Sequence, residues 1–422
     1  MDGQHPDGGK SADPKAEAKT GALTFILITV TLNMMGVGLA WPILPKLVQE
    51  MGNGSVSQAA AVYAIIGSIF AISQFLFSPL IGSLSDRFGR RPVMLVCLAG
   101  LGADYVLTAF APTFFWLAVV RFFGGIFAAT ITTANAYAAD ISTPENRARN
   151  FGLIGAAFGA GFILGPLIGG WLGAINIHYP FYAAGVLTLV NVIFGYFTLP
   201  ESLPGERRRQ LVAKDANPFV ALTRLGSFPA LTPLLIGLLI TATAQRGLES
   251  VWVLYTDFRF GWGIREAAWS LAFVGVAYFV VQGFLVGPVV KSLGEWRTVI
   301  FGFMLGCLAF LATAIAEQGW MVYPLVALYA LGNGLGVPAL TAICSKTVET
   351  DRQGQLQGAL QSINAVAVIV GPFSASLLLA HVSSQNPLFN LPGAWFVLGA
   401  LASAIATVLA VGANKRLSAN SW

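Results

Sequence analysis

Residues 181–199 read FYAAGVLTLVNVIFGYFTL, a stretch of nineteen residues without one charged side chain. A helix needs about 20 mostly apolar residues to cross a bilayer, whereas a half-buried strand alternates polar and apolar positions. The length and the lack of alternation therefore predict a membrane-spanning helix. The whole chain of 422 residues is 56% hydrophobic and 10% charged, against about 25% charged residues in a soluble domain. This composition excludes a water-soluble enzyme and a disordered chain.

Eleven further stretches share this character, so the sequence predicts an all-α membrane protein with twelve membrane-spanning helices. In chain order, the predicted spans are Gly21–Leu44, Ala59–Ile81, Val93–Ala111, Phe114–Tyr137, Phe151–Ile175, Phe181–Leu199, Ala230–Leu254, Ala267–Val290, Val299–Ala316, Trp320–Cys344, Leu356–His381 and Trp395–Val411.

The basic residues are distributed unevenly between the two sides of these spans. If the N-terminus is cytoplasmic, nineteen of the 24 Lys and Arg lie on the cytoplasmic side, three lie on the opposite side and two lie inside spans. Because basic loops remain in the cytoplasm, both termini are predicted to be cytoplasmic. The net charge of +5 is then a consequence of topology, and no nucleic-acid partner is predicted. The first 20 residues are polar and do not resemble a cleaved secretory signal.

One long polar segment separates the spans into two sets of six, and the two sets share landmarks. Gly165-Pro166 in the fifth span recurs as Gly371-Pro372 in the eleventh, which predicts a duplicated fold unless the recurrence is accidental. Duplicated halves around a central site are the usual plan of secondary transporters. The predicted organisation is an N-terminal tail (1–20), a six-helix bundle (21–199), a cytoplasmic loop (200–229), a second six-helix bundle (230–412) and a C-terminal tail (413–422).

The loop between the second and third spans reads GSLSDRFGRRP, residues 82–92. Its two glycines are predicted to form turns with positive φ. Asp86 is predicted to accept hydrogen bonds from Arg90 or to face a helix N-terminus, and these contacts would latch the two halves on the cytoplasmic side. A generic basic loop is the alternative. The gating loop predicted here comprises Gly82, Asp86, Arg87, Gly89, Arg90 and Arg91.

Four charged residues lie inside predicted spans, namely Asp104, Arg121, Arg246 and Glu249. A charge at mid-membrane costs about 2.5–3.5 kcal/mol on insertion scales, so each is a candidate functional residue. Asp104 and Arg121 lie at similar depths on either side of the turn near Pro112, so they are predicted to interact. They are interpreted as a proton-coupling pair, with a static ion pair as the alternative.

The seventh span carries Arg246 and Glu249 three positions apart, so they share a helix face and are predicted to pair. The boundaries of the predicted span place both near the outer edge of the membrane. A purely local pair and a substrate contact or outer gate, made through Glu249, both remain open. The uncharged Asn33 and Gln74 are predicted substrate contacts, with a helix–helix hydrogen bond as the alternative for each.

The fifth span is rich in glycine. Gly155, Gly159, Gly165 and Gly169 are predicted to let another helix approach closely, and Pro166 is predicted to bend the span. Close packing without further functional meaning is the alternative.

Taken together, these motifs resemble those of the major facilitator superfamily. The 82–92 loop is similar to that family's signature between its second and third helices, and Arg121-Phe-Phe-Gly-Gly resembles its fourth-helix arginine motif. The fifth span resembles the motif of the drug:proton antiporter branch, and within that branch the chain is similar to the tetracycline efflux proteins along nearly its whole length beyond residue 20. The fifth-span positions that match are Gly165, Pro166, Gly169 and Gly170.

The resemblance implies roles for particular residues. It places Gln74, Asp104 and Gln282 along a substrate and proton route, and it makes Asp140, at the cytoplasmic end of the fourth helix, a further acidic position. The chain also departs from the pattern, since Asn33 replaces an aspartate found in many of these pumps and the ninth span lacks an acid.

The predicted function is proton-coupled export of hydrophobic, tetracycline-like drugs by alternating access in a bacterial cytoplasmic membrane. A carrier for an endogenous metabolite or natural product, with altered or no proton coupling, is the alternative that the departures favour. No cofactor and no metal are predicted, because the three histidines have no metal-binding spacing and no phosphate-binding loop motif occurs. The expected partners are a small-molecule substrate, protons and the lipid bilayer. The oligomeric state is left open, although one chain suffices to enclose a pathway.

Overall fold

The computed structural model describes residues 14–128, 130–142, 147–208, 228–349, 352–388 and 390–419. These residues form helices joined by short turns, and none of them belongs to a β-strand. The prediction of an all-α protein is therefore confirmed. Much of the predicted N-terminal tail and most of the predicted central loop lie outside the described residues.

The described part of the chain contains fifteen α-helices, two of which are joined by a π-helical turn at Val281–Leu285. The helices are α1 (Pro14–Ala40), α2 (Leu44–Met51), α3 (Val56–Phe88), α4 (Arg90–Ala109), α5 (Phe114–Phe127), α6 (Thr130–Ile141), α7 (Arg147–Ile175), α8 (Tyr179–Thr198), α9 (Thr232–Phe260), α10 (Ile264–Val280), α11 (Val286–Leu293), α12 (Glu295–Ile315), α13 (Val322–Thr347), α14 (Gln353–Val382) and α15 (Ala394–Ala419).

The observed helices match the predicted spans. Eleven helical segments among the described residues are long and apolar enough to cross a membrane, and Phe114–Phe127 is a shorter apolar helix. The predicted fourth span, Phe114–Tyr137, is covered by α5 and α6, and Ala129, which separates these two described helices, lies outside the described residues.

Within the N-terminal half, α7 lies against α1 at backbone distance. A Cβ atom added at Gly165 would lie 2.7 Å from the Cα atom of Gly38, and one added at Gly169 would lie 2.6 Å from the carbonyl oxygen of Leu39. These two positions therefore have the packing role that the sequence predicts. Only glycine permits such an approach of two backbones.

The packing role predicted for Gly155 and Gly159 is wrong. A Cβ atom added at either position would meet no atom within 4 Å. Gly161 takes their place, since a Cβ atom there would lie 2.5 Å from the carbonyl oxygen of Thr31. The glycine spacing alone did not reveal where α1 crosses α7.

The C-terminal half repeats the arrangement with α14 against α9. A Cβ atom added at Gly371 would lie 2.5 Å from the carbonyl oxygen of Thr243 and 2.9 Å from the amide nitrogen of Gly247. Gly165 and Gly371 thus hold corresponding helix pairs in the two halves, and each precedes a proline. The Gly-Pro pair that recurs in the sequence therefore has the same structural role in both halves.

The two halves contact each other near the face opposite the chain termini, where α3 packs against α14 and α2 lies beside α9. The hydroxyl of Ser57 donates to the carbonyl oxygen of Ala380 at 2.6 Å. Lys46 Nζ lies 2.8 Å from Asp257 Oδ2, so an ion pair joins α2 to α9. We call these two contacts the inter-half seam.

The same halves separate toward the face that carries the termini. Near the seam, a Cβ atom added at Gly170 of α7 would contact Ala268 of α10. The π-helical turn and α11, which continue α10 toward the termini, have no comparable contact with α7. In the described part of the chain, the halves are therefore joined near the seam and separated toward the termini.

Candidate functional site

Asp104 on α4 and Arg121 on α5 form an ion pair inside the N-terminal half. Arg121 Nη2 donates hydrogen bonds to Asp104 Oδ2 and, at 2.9 Å, to Thr108 Oγ1. Asp104 is 3% exposed and Arg121 is 7% exposed, so both side chains point into the bundle. The contact predicted between them is confirmed.

Local sequence explains why these two side chains meet. Asp104 and Thr108 lie one turn apart on the same face of α4, while the hydroxyl of Thr113 caps the start of α5. Gly124 follows Arg121 by three positions, and a Cβ atom added there would collide with the Asp104 carboxylate. The absence of a side chain at residue 124 leaves the room that the pair occupies.

Two buried polar atoms of the Asp104–Arg121 pair make no hydrogen bond among the described residues. Asp104 Oδ1 and Arg121 Nε are buried and have no hydrogen-bond partner among the described residues. The guanidinium also lies 5.5 Å from the ring centroid of Phe70 on α3, a cation–π distance. Sequence reasoning missed both Thr108 and Phe70. The four-residue spacing from Asp104 is a signal that could have found Thr108, whereas the Phe70 contact depends on how α3 packs.

Two uncharged residues predicted to contact substrate lie in the same half. Gln74 is half-buried on α3, one turn beyond Phe70. Asn33 on α1 is 4% exposed, and its Oδ1 atom has no hydrogen-bond partner in the described part of the chain. Their roles remain predictions.

A second polar cluster lies in the C-terminal half around Arg246 and Glu249. Arg246 Nη1 donates to Glu249 Oε2 at 2.9 Å, which confirms the predicted pair. Arg246 is the middle residue of α9, which extends to Phe260, so it lies farther from the end of its helix than the predicted span implied. The predicted span ended at Leu254 because Asp257 and Arg259 interrupt the apolar stretch, whereas the helix continues through both.

Gln282 lies in the π-helical turn between α10 and α11 and is exposed. Such turns occur frequently at functional sites. Its place in the substrate route remains a prediction.

The gating loop contacts the N-terminal half. Arg90 forms the predicted ion pair with Asp86, and its Nε atom lies 3.1 Å from Asp140 Oδ2. Arg91 Nη2 donates to the carbonyl oxygen of Tyr196 at 2.5 Å. The guanidinium of Arg87 lies over the ring of the neighbouring Phe88. Because these partners belong to the N-terminal half, the predicted latch between the halves is wrong for this conformation.

The two glycines of the gating loop, Gly82 and Gly89, differ in backbone conformation. Gly89 has φ of 106°, as predicted, and connects α3 to α4. The turn predicted at Gly82 is wrong, because α3 continues as a helix to Phe88. Glu201, which sequence reasoning missed, accepts hydrogen bonds from the backbone amides of Arg90 at 2.9 Å and Arg91 at 3.3 Å. A carboxylate thus caps the start of α4, where it also favours the helix dipole.

Replacing Glu201 with Ala is expected to lower the stability of the purified protein by about 1 kcal/mol, because the first amides of α4 lose their cap. The apparent melting temperature in detergent measures the change. Glu206→Ala, in the exposed turn that follows, is the matched control and is expected to melt like the wild type. Equal melting temperatures for Glu201→Ala and the wild type would contradict the assigned cap.

The geometry defines the class of protein. In the described part of the chain, two similar helical halves are joined at one face and separated at the other, with ionisable side chains held within the spans, and this is the plan of a secondary transporter. In the described part of the chain, no three His, Cys, Asp or Glu residues form a group that could hold a metal ion. The chain belongs to the Major Facilitator Superfamily, whose family model matches residues 26–372.

Individual relatives agree with this assignment. The chain is 38% identical over 396 residues to the class C tetracycline resistance protein of Escherichia coli, an alignment covering 94% of this chain and 98% of that protein. It is 36% identical to the class G tetracycline resistance protein of Vibrio anguillarum, covering 89% and 93% of the two chains. The crystal structure of a mutant of the nucleoside transporter NupG shares the fold, with a TM-score of 0.74, 13% identity and coverage of 93% and 99%.

These relationships establish the fold as two six-helix bundles of the major facilitator type in a multi-pass membrane protein. Members of this family are in general transporters and not enzymes, and its drug exporters move small molecules in exchange for protons. Proton-coupled drug efflux is consistent with the family to which the chain belongs.

Proposed function

We propose that this protein exports hydrophobic drugs of the tetracycline type across a bacterial cytoplasmic membrane in exchange for protons, as a transporter and not an enzyme. The observation that carries the proposal is the buried Asp104–Arg121 pair in a chain that resembles tetracycline resistance proteins over nearly its full length. A single chain contains both halves and suffices for the pathway.

Asp104 is proposed to carry the proton. Its Oδ2 atom is engaged by Arg121, whereas its Oδ1 atom is buried without a hydrogen-bond partner in the described structure. A buried acceptor without a partner is costly, and a proton on Oδ1 would allow that carboxyl group to release Arg121. Binding of a proton from one side and of drug from the other would then compete for the same pair.

Alternating access is proposed to occur between bundles 21–199 and 230–412, with both termini in the cytoplasm. In this orientation the inter-half seam closes the outer side, and the open end faces the cytoplasm, where a drug to be exported would enter. Rocking of the two bundles would open the seam and close the cytoplasmic end. The gating loop, at the cytoplasmic end of α3 and α4, is proposed to gain partners from the other half in that second state.

Transport by reconstituted protein tests the proposal. Sealed proteoliposomes with an imposed pH gradient are expected to accumulate tetracycline, and addition of tetracycline is expected to release protons. Collapse of the gradient should stop accumulation. Accumulation that is insensitive to the gradient would contradict proton coupling.

Transport of an endogenous metabolite is the second candidate function. It is favoured by Asn33, at a position where the resemblance to tetracycline pumps implies an aspartate, and by α12, which has no acid after Glu295. Expression in a host without its own drug pumps separates the candidates, because drug export raises tetracycline resistance and metabolite transport does not.

The ion pair of the seam supplies a conformational prediction. Asp257→Asn should shift the protein toward the outward-open state by up to about fivefold, because a partly exposed ion pair contributes at most about 1 kcal/mol. The readout is the labelling rate of Ser57→Cys by a membrane-impermeant maleimide added outside, in a background without the native cysteines. Glu50→Gln, on the exposed side of α2, is the matched control. An unchanged labelling rate for Asp257→Asn would contradict the role of this pair.

A further inference from the structure

The charged pair on α9 lies at a depth where charge is costly. Arg246 is the central residue of the helix Thr232–Phe260, with fourteen residues on either side. At 1.5 Å per residue, each helix end is about 21 Å away. An arginine at this depth does not reach the water outside the membrane by extending its side chain. Its charge must therefore be balanced by groups within the protein or by water between the two halves.

The partners of Arg246 come from the interior of the C-terminal half. Arg246 Nη2 donates to Asn364 Oδ1 on α14 at 3.1 Å, and Gln245 Nε2 donates to Glu249 Oε1 at 3.1 Å. The helices α10 and α13, which carry Tyr278 and Tyr329, also contact α9. Because α10, α13 and α14 all contact α9, the cluster lies where these four helices converge.

The cluster is nevertheless accessible. The side chains of Arg246 and Glu249 are 39% and 27% exposed, in contrast to 8% and 2% for Arg121 and Asp104. Exposure of a charge to lipid at this depth is unfavourable. The exposed parts of both side chains therefore face the space between the two halves, which is open toward the termini.

Helix packing does not account for the ion pair itself. Arg246 and Glu249 belong to one helix, and the bond that Arg246 makes to another helix, the hydrogen bond to Asn364 on α14, does not require a charged donor. The contact between α9 and α14 is already made by backbone at Gly371. A partly buried ion pair seldom stabilises a fold relative to apolar side chains of similar size. Two charges that lie at this depth and contribute little to the stability of helix packing indicate a ligand.

The remaining bonding capacity indicates which ligand. A guanidinium has five N–H donors and a carboxylate has about four acceptor sites, and the hydrogen bonds described here use two donors of Arg246 and two acceptor sites of Glu249. The pair has no net charge, so a simple anion would meet repulsion from Glu249 and a simple cation would meet repulsion from Arg246. A molecule carrying both charges matches both residues.

We propose that Arg246 and Glu249 form a binding site for a zwitterionic substrate, whose anionic group contacts the Arg246 guanidinium and whose cationic group contacts the Glu249 carboxylate. Asn364 and Gln245 hold the two side chains in position. This inference rests on the proposed transport function and specifies its substrate class.

Binding to purified full-length protein tests the inference with three probes: tetracycline as the zwitterion, tetraphenylphosphonium as the cation and nalidixate as the anion. Arg246→Gln and Glu249→Gln are each expected to weaken tetracycline binding about tenfold or more, the loss of one charge-assisted contact. Arg246→Gln should at the same time strengthen binding of the cation, and Glu249→Gln that of the anion. Opposite shifts of this kind identify direct contacts with ligand charges.

The charge exchange Arg246→Glu/Glu249→Arg separates a ligand site from a structural pair. It restores an ion pair on α9 but reverses the charges relative to the rest of the site, so tetracycline binding should remain weakened about tenfold.

Recovery of wild-type affinity in the exchange variant would overturn the inference, as would equal changes for all three probes in the single variants. Wild-type protein that binds none of the probes would also overturn it. Wild-type protein that binds tetracycline without releasing protons would overturn only the proposed coupling, and the probe selectivity would still decide this inference.

Discussion

Asp104→Asn is expected to reduce drug-dependent proton release in proteoliposomes to the level of protein-free vesicles. The amide has nearly the shape of the carboxylate but does not bind and release a proton at this position. A cycle in which drug and proton alternate at residue 104 therefore lacks its proton step. Asp104→Glu retains a carboxyl group and is expected to preserve part of the coupling. A proton-release signal in Asp104→Asn equal to that of the wild type would remove this residue from the coupling mechanism.

The single variant has a structural cost that must be separated from the functional one. Replacing the Asp104 carboxylate with an amide leaves the Arg121 charge buried, 7% exposed, without its counter-charge. Breaking a buried pair in this way costs about 3–5 kcal/mol. The double variant Asp104→Asn/Arg121→Gln removes both charges and is therefore expected to fold better than the single variant.

The double variant distinguishes the two interpretations of the pair. If the pair were only structural, removing both charges would restore coupled transport together with stability. The proposed mechanism instead predicts that stability recovers and coupling does not. Melting temperature and proton release measured on the same preparation give both quantities.

Gly165→Val is expected to lower stability by about 3 kcal/mol, because it overpacks a contact between backbones. The added Cβ atom would lie 2.7 Å from Gly38 Cα and 2.8 Å from the carbonyl oxygen of Met35. Backbone atoms of α1 cannot move aside as the end of a flexible side chain does. The helices would have to separate, and both stability and transport would fall.

Gly155→Val is the matched control for this prediction. Both glycines lie within α7, and valine at 165 has the additional restriction of preceding Pro166. A Cβ atom at Gly155 would meet no atom within 4 Å. The difference in melting temperature between the two variants therefore measures the α1–α7 contact together with that restriction, and equal destabilisation would contradict the importance of the contact.

Most of the fold could be predicted from the sequence because insertion of a helix into a membrane depends on about 20 consecutive residues. The pairing of Asp104 with Arg121 could be predicted for a similar reason, since both lie a few residues from one short turn. The location of Arg246 could not, because α9 continues through the charged residues Asp257 and Arg259. Asp257 pairs there with Lys46 of the other half, a partner that is 211 positions away in the chain.

The sequence by itself determined the twelve spans, the duplicated Gly-Pro landmarks and the ionisable residues inside the membrane, because each depends on composition and spacing along one segment. Only the tertiary structure decided which glycines allow close contact, which carboxylate caps α4 and which face of the molecule is closed. Those properties depend on atoms from helices far apart in the chain, as the pairs Gly165–Gly38 and Glu201–Arg90 show. Steric fit and hydrogen bonding act over a few ångströms, so they are settled only after the helices have packed.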